Sequence, residues 1–254
     1  LFPVPMLLVR GVGPLLRWRQ AGLAGVKWEI IVPAALIGLT AIGLLVWADM
    51  GVLPFIGMAL SGGLALASLL PLRGRSLRRT PLATWGMVVA HFGIALALFG
   101  MASESAFTKE RLVAKSVGDV TEVGPWKVTF TGVKPVAGPN WTAIEADMFA
   151  SYQGGRPVEI KPQARSFWSP PQMTSESALV TRWNGQLYAV LGEQGEDGRW
   201  QLRLWWKPFV PMIWYGGLLI ALGGLLALFG RVASDLRRLI AREKIADRRQ
   251  RQGR

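Results

Sequence analysis

Between Trp85 and Met101 the chain reads Trp-Gly-Met-Val-Val-Ala-His-Phe-Gly-Ile-Ala-Leu-Ala-Leu-Phe-Gly-Met, with no charged side chain. A run this long and apolar is expected to be a membrane-crossing helix. Near its middle stands His91, the sole histidine of the 254 residues. Counted from Thr84, it lies roughly 10 Å into the span at a rise of about 1.5 Å per residue. An ionisable group at that depth is disfavoured by a few kcal/mol or more. Two readings follow from position alone. His91 is hydrogen-bonded to a neighbouring helix, or it binds a cofactor, since imidazole is a common iron ligand. Gly93 and Gly100, seven residues apart, leave room for a partner helix, the ordinary use of glycine in spans, or for a flat macrocycle.

The rest of the composition agrees with a membrane protein. Hydrophobic residues make up 51% and charged residues 18% of the chain, and the mean hydropathy is +0.30. The net charge of +13 does not indicate nucleic acid, because acids and bases nearly balance between Ala102 and Lys207. The basic excess lies in short loops beside apolar segments and in the C-terminal tail, the positive-inside pattern. Cysteine is absent, which excludes disulfides, thiolate nucleophiles and thiolate metal sites. The chain begins at Leu1 without a recognisable signal peptide, and we expect it to continue a longer polypeptide or to partner one.

Four segments are long enough to cross a bilayer: Trp28 to Trp47, Val52 to Leu70, Thr84 to Met101 and Phe209 to Phe229. Ala48-Asp49-Met50-Gly51 joins the first two as a tight hairpin, and Pro33 and Pro54 are expected near helix starts. Residues 1–27, broken by Pro3, Pro5, Arg10 and Pro14, read as an interfacial segment or the end of a truncated span. Arg17, Arg19 and Lys27, then Arg73, Arg75, Arg78 and Arg79, then the tail from Arg231, all fall on one side of a four-span chain. That side is expected to be the cytoplasm. Trp28, Trp47, Trp85, Trp214 and Tyr215 sit near span ends, where amphipathic rings prefer the interface.

The fold expected is therefore a polytopic α-helical membrane protein of about four spans with an external, mostly-β domain between the last two. Three spans fill 28–101, the external domain 102–207, the last span 208–230 and a basic cytoplasmic tail 231–254. In the domain Asn184-Gly185 separates two apolar runs, the strongest short hairpin signal. Trp126, Val128 and Phe130 alternate with polar neighbours, as do Ile144, Ala146, Met148 and Ala150, and Trp200, Leu202, Leu204 and Trp206. Such alternation marks strands buried on one face, and about five to seven strands suffice for a small sandwich or barrel. Without a histidine the domain has no Ser/His/Asp triad. Glu145 and Asp147 share a strand face, but no catalytic site is read there. In the tail, Val232, Leu236, Leu239 and Ile240 recur at helical spacing among arginines. This describes a basic amphipathic helix on anionic lipid or a solvated tail.

Several of these stretches resemble one family in order and spacing. Gly86-Met87-Val88-Val89-Ala90-His91-Phe92-Gly93-Ile94-Ala95, following Arg78-Arg79-Thr80-Pro81, is similar to the late membrane segment of CcmF. Members of that family are polytopic haem lyase components of bacterial cytochrome c maturation. Ser169-Pro170-Pro171-Gln172-Met173-Thr174-Ser175-Glu176 resembles its external proline-methionine-threonine-glutamate segment. Leu187 to Gly192, the Lys207-Pro208 entry to the last span and Gly13-Pro14-Leu15-Leu16-Arg17-Trp18 are similar too. The resemblance covers nearly the whole chain but only the C-terminal portion of the CcmF–NrfE family.

That resemblance implies a location in the bacterial inner membrane with a periplasmic β domain. It implies that His91 is an axial ligand to the iron of a membrane-embedded b-type haem. The second ligand must come from outside this chain, which has no other histidine. The family's tryptophan-rich WWD motif and its other histidines lie N-terminal to the matched region, and Trp205-Trp206-Lys207 is not that motif. The implied partners are an N-terminal haem lyase portion carrying the WWD motif, other cytochrome c maturation subunits, apocytochrome c, haem and membrane lipids. The implied reaction joins haem vinyl groups to two thiols of an unfolded apocytochrome. This chain is not expected to perform it alone, and no catalytic residue is assigned. The competing reading is a non-enzymatic scaffold or remnant of the maturation complex that binds no haem. A transporter would show inverted repeats or broken helices in matching halves, and neither is visible.

Overall fold

The computed structural model describes residues 27–47 and 50–252. Apart from Lys27, the expected interfacial segment over 1–27 and its Gly13–Trp18 motif lie outside them. The described residues divide into two compact units, one drawn from 27–102 and 212–252, the other 103–211.

The first unit is helical. α1 (Lys27–Trp47) and α2 (Val52–Leu69) form the expected hairpin, and α3 (Leu82–Phe107) and α4 (Pro211–Gln252) complete the set. Three segments, Val52–Leu72, Leu82–Phe107 and Pro211–Ala241, are long and apolar enough to cross a membrane, and Ile31–Val46 forms a shorter apolar helix. Pro33 lies inside α1 rather than at its start. α1 and α2 approach closely where Gly63 meets the side chain of Ile37 and Gly62 meets Thr40. Between α2 and α3 the basic loop turns through two short 3₁₀ segments, Leu70–Leu72 and Leu77–Arg79. Thr84 and Trp85 donate backbone N–H groups to the Pro81 carbonyl as α3 begins.

α3 and α4 are antiparallel and joined through glycine. Gly86, Gly93 and Gly100 on α3 recur every seven residues, as do Gly216, Gly223 and Gly230 on α4. A methyl group placed on Gly93 would stand 2.7 Å from the Gly216 carbonyl oxygen and 2.9 Å from the Ile220 nitrogen. One on Gly100 would stand 2.8 Å from the Ile213 nitrogen, and Gly86 faces Ala227 and Gly223 just as tightly. Backbone-to-backbone contact of this kind is how membrane helices associate when lipid removes any hydrophobic driving force. The room at Gly93 and Gly100 is thus taken by a helix.

The second unit is a two-sheet sandwich. Its strands are β1 (Lys109–Lys115), β2 (Val120–Val123), β3 (Trp126–Ala137), β4 (Trp141–Tyr152), β5 (Val158–Ile160), β6 (Gln163–Trp168), β7 (Pro171–Glu176), β8 (Ala178–Arg182), β9 (Gly185–Gln194) and β10 (Trp200–Pro208). One sheet has the order β1-β10-β9-β8, the other β2-β3-β4-β6-β7 with β5 also on β4. All pairings are antiparallel. Ten strands exceed the five to seven expected, and β5, of three residues, and β7, exposed along nearly its whole length, show no buried face that alternation could reveal.

Where alternation was visible, it set the core. Trp126, Val128 and Phe130, then Ala146, Met148 and Ala150, pack with Leu187, Ala189, Leu191, Leu202, Leu204 and Trp206. Each fully buried leucine contributes about 1.5–3 kcal/mol relative to exposure. Gly124 takes φ +56° in the β2–β3 turn, and a methyl there would stand 2.5 Å from the Trp206 ring. Both conformation and space therefore call for glycine. After β10, Phe209 adopts φ +58° with its N–H bonded to the Asn184 carbonyl at 2.9 Å, turning the chain toward α4.

Candidate functional site: the membrane histidine

His91 occupies the middle of α3 and is half-buried. The seam with α4 is formed by Gly86, Gly93 and Gly100. With about 100° between successive residues, His91 projects from the side of α3 opposite that seam. It shares that side with Val88 and Ala95, both almost fully buried. Lower on the same side, a methyl on Gly57 of α2 would meet the Ala102 side chain at 3.0 Å. Hence α2 and α4 flank α3 on opposite sides, and His91 belongs to the α2 side.

The ring is oriented by its own helix. His91 Nδ1 lies 2.8 Å from the carbonyl oxygen of Met87, one turn back. A carbonyl only accepts, so the proton of that bond resides on Nδ1. In the neutral imidazole the lone pair is then on Nε2, which has no hydrogen-bond partner among the described residues. Histidines that bind metals show this division, one nitrogen held by a backbone carbonyl and the other available. The residue types around His91 could not reveal this bond in advance, although every helical residue has a carbonyl four positions back. Among the described residues no group of three or more His, Asp or Glu side chains could hold a metal ion. A single imidazole with one nitrogen held and the other without a partner has the chemistry to donate one ligand to a metal.

The paired carboxylates of the external unit have a different setting. Lys134, opposite Glu145 across β3 and β4, bonds Asp147 Oδ1 at 3.0 Å and Glu145 Oε1 at 3.2 Å. Hydrogen bonds to Asp147 and then Glu145 hold the Lys134 ammonium above its ordinary pKa. Gln163 donates to Glu145, and Arg165 bonds Gln163 at 2.8 Å and lies 4.5 Å over the Trp141 ring. Both carboxylates are engaged by cations or donors, which makes them a strand-to-strand clasp.

Residues 106–208 match the family model described as the CcmF C-terminal beta-sandwich. The chain is similar to the Escherichia coli cytochrome c-type biogenesis protein CcmF, at 34% identity over 231 residues, covering 89% of this chain and 36% of that protein. It is 32% identical over 238 residues to CcmF of Haemophilus influenzae, covering 89% of this chain and 37% of that protein. The solved structure of a cytochrome c haem lyase CcmF superposes with a TM-score of 0.72 at 27% identity, covering 88% of this chain and 38% of the other. The chain thus spans little more than a third of the length of these relatives. With the sandwich, the membrane-type helices and the relatives in agreement, the chain belongs to the CcmF family of cytochrome c biogenesis haem lyases and corresponds to its C-terminal portion.

Proposed function

We propose that this chain contributes one axial ligand, His91 through Nε2, to a b-type haem embedded in the bacterial inner membrane. The observation that supports this most directly is the Nδ1–H bond to Met87, which leaves the lone pair of the sole histidine on Nε2. The second ligand comes from an N-terminal haem lyase portion that also carries the WWD motif. Bound there, the haem would supply a one-electron carrier within the membrane.

Met87 sets the orientation of the His91 ring, and the apolar span keeps bulk water away from it. α1 to α4 cross the membrane, with the basic loop and the C-terminus in the cytoplasm and the sandwich in the periplasm. In that place the sandwich serves as a docking surface beside which apocytochrome c receives haem, together with other maturation subunits. The substrate brings the thiols, consistent with a chain that has no cysteine.

The test is the optical spectrum of the chain co-purified with its N-terminal partner. A low-spin b-type haem spectrum is expected, and His91→Ala should abolish or strongly shift it while the protein still inserts. An unchanged spectrum in His91→Ala would leave the scaffold reading.

A further inference from the structure

The turns at the two ends of β9 are chemically unlike. At one end the β8–β9 hairpin presents Arg182 and Trp183, both exposed, the indole at 68%. At the other the β9–β10 turn presents Glu196 and Asp197 between Gly195 and Gly198, with no apolar side chain. The 10 residues of β9 separate the two turns, by about 33 Å at about 3.3 Å per residue.

The Arg182–Trp183 tip is held from three directions. The Asn184 side-chain amide donates to the Tyr152 hydroxyl at 2.8 Å, and the Arg182 guanidinium lies 4.5 Å over the Tyr152 ring. A methyl on Gly185 would stand 2.7 Å from the Lys207 carbonyl oxygen, so the turn is pressed against the end of β10. The Asn184 carbonyl accepts the Phe209 N–H at 2.9 Å. The tip is thus fixed while its indole stays open. Among the described residues no carboxylate pairs with Arg182.

Phe209 also fixes where the tip stands. Two residues later Pro211 opens α4, so the Asn184 carbonyl lies within about 10 Å of the start of that helix, at no more than about 3.6 Å of chain per residue. Trp214 and Tyr215, in the first turns of α4, are 69% and 42% exposed, and such rings mark the membrane–water boundary. The polar headgroup layer on each side of a bilayer is about 5–8 Å deep. The tip is therefore within reach of that layer, and the acidic turn at the other end of β9 is not.

We propose that the β8–β9 tip is a phospholipid contact, with the Trp183 indole in the headgroup layer and the Arg182 guanidinium on a lipid phosphate. This rests on α4 crossing the membrane as proposed above. An indole combines an apolar ring with an N–H donor, which suits a layer that is part hydrocarbon and part water. A guanidinium presents a planar fork of donors to phosphate. Stacking on Tyr152 holds the fork in place, and the lack of a carboxylate partner leaves it for an anion.

The absence of cysteine makes the test direct. Trp183→Cys, Asp197→Cys and Trp214→Cys each carry a nitrobenzoxadiazole label, whose fused ring stands in for the side chain at 183. The full chain is held in nanodiscs of phosphatidylethanolamine and phosphatidylglycerol. Lipids with a nitroxide on the headgroup should quench the label at 183 about threefold or more above that at 197. Arg182→Gln in the labelled Trp183→Cys chain should reduce the quenching at 183 by roughly half. Quenching at 214 with none at 183 would overturn the lipid contact and leave the span standing. No quenching at 214 would overturn the span and the contact with it. Equal quenching at 183 and 197, or quenching at 183 that Arg182→Gln leaves unchanged, would each overturn the proposal.

Discussion

Gly93 of α3 and Gly216 of α4 meet backbone to backbone, so closely that a methyl on Gly93 would stand 2.7 Å from the Gly216 carbonyl oxygen. The next residue, Gly217, has nothing within 4 Å of the equivalent methyl. Two adjacent glycines thus have opposite tolerance. Gly93→Val should separate α3 from α4 and lower the thermal unfolding temperature of the detergent-solubilised chain by several degrees. Gly217→Val should leave it within a degree or raise it, since valine suits a helix interior better than glycine. Equal effects would show that the seam is not a close contact.

Within the sandwich, cost should follow burial. Leu204 is fully buried and Leu112 is 66% exposed, on neighbouring strands. Leu204→Ala is expected to cost about 2–5 kcal/mol, and Leu112→Ala within about 0.5 kcal/mol. Urea denaturation of residues 103–208 measures both. The isolated unit should give a β-rich circular dichroism spectrum and no haem absorption, because it has no histidine. A helical spectrum would contradict the sandwich.

The Lys134 clasp predicts an alkaline dependence. Its ammonium is held above the ordinary lysine value of 10.5, first by Asp147 and then by Glu145. A raised folded-state pKa adds stability that is complete below 10.5 and lost as pH climbs through the raised value. The stability difference between the wild-type sandwich and Lys134→Met should therefore be constant from pH 8 to 10 and shrink above that. A difference that stays flat through pH 12 would remove the ionic contribution.

Topology provides a check on the proposed orientation. A reporter fused after Arg254 or placed within Ser76 to Thr80 should read cytoplasm, and one at Gly195 should read periplasm. Gly195 lies in the β9–β10 turn, bonded to Arg199 and Gly198, where an insertion disturbs little of the core. A cytoplasmic signal there would place the sandwich away from any periplasmic substrate.

Much of this architecture was legible residue by residue. Apolar length identified the runs now in α2, α3 and α4, and two-residue alternation at Trp126 to Phe130, Ile144 to Ala150 and Trp200 to Trp206 named the faces that meet in the sandwich. Asn184-Gly185 marked the β8–β9 hairpin. These features are local, because a helix or strand exposes its period to anyone reading along the chain. What covers an apolar face is not local. Only the tertiary structure set β1 beside β10 across the whole domain, separated Gly216 from Gly217, and aligned the glycine heptads of α3 and α4. It likewise decided that the His91 proton is on Nδ1, because that depends on where the Met87 carbonyl stands relative to the ring. Periodicity determines which side of an element is apolar, and the free energy of contacts distant in sequence determines what that side meets.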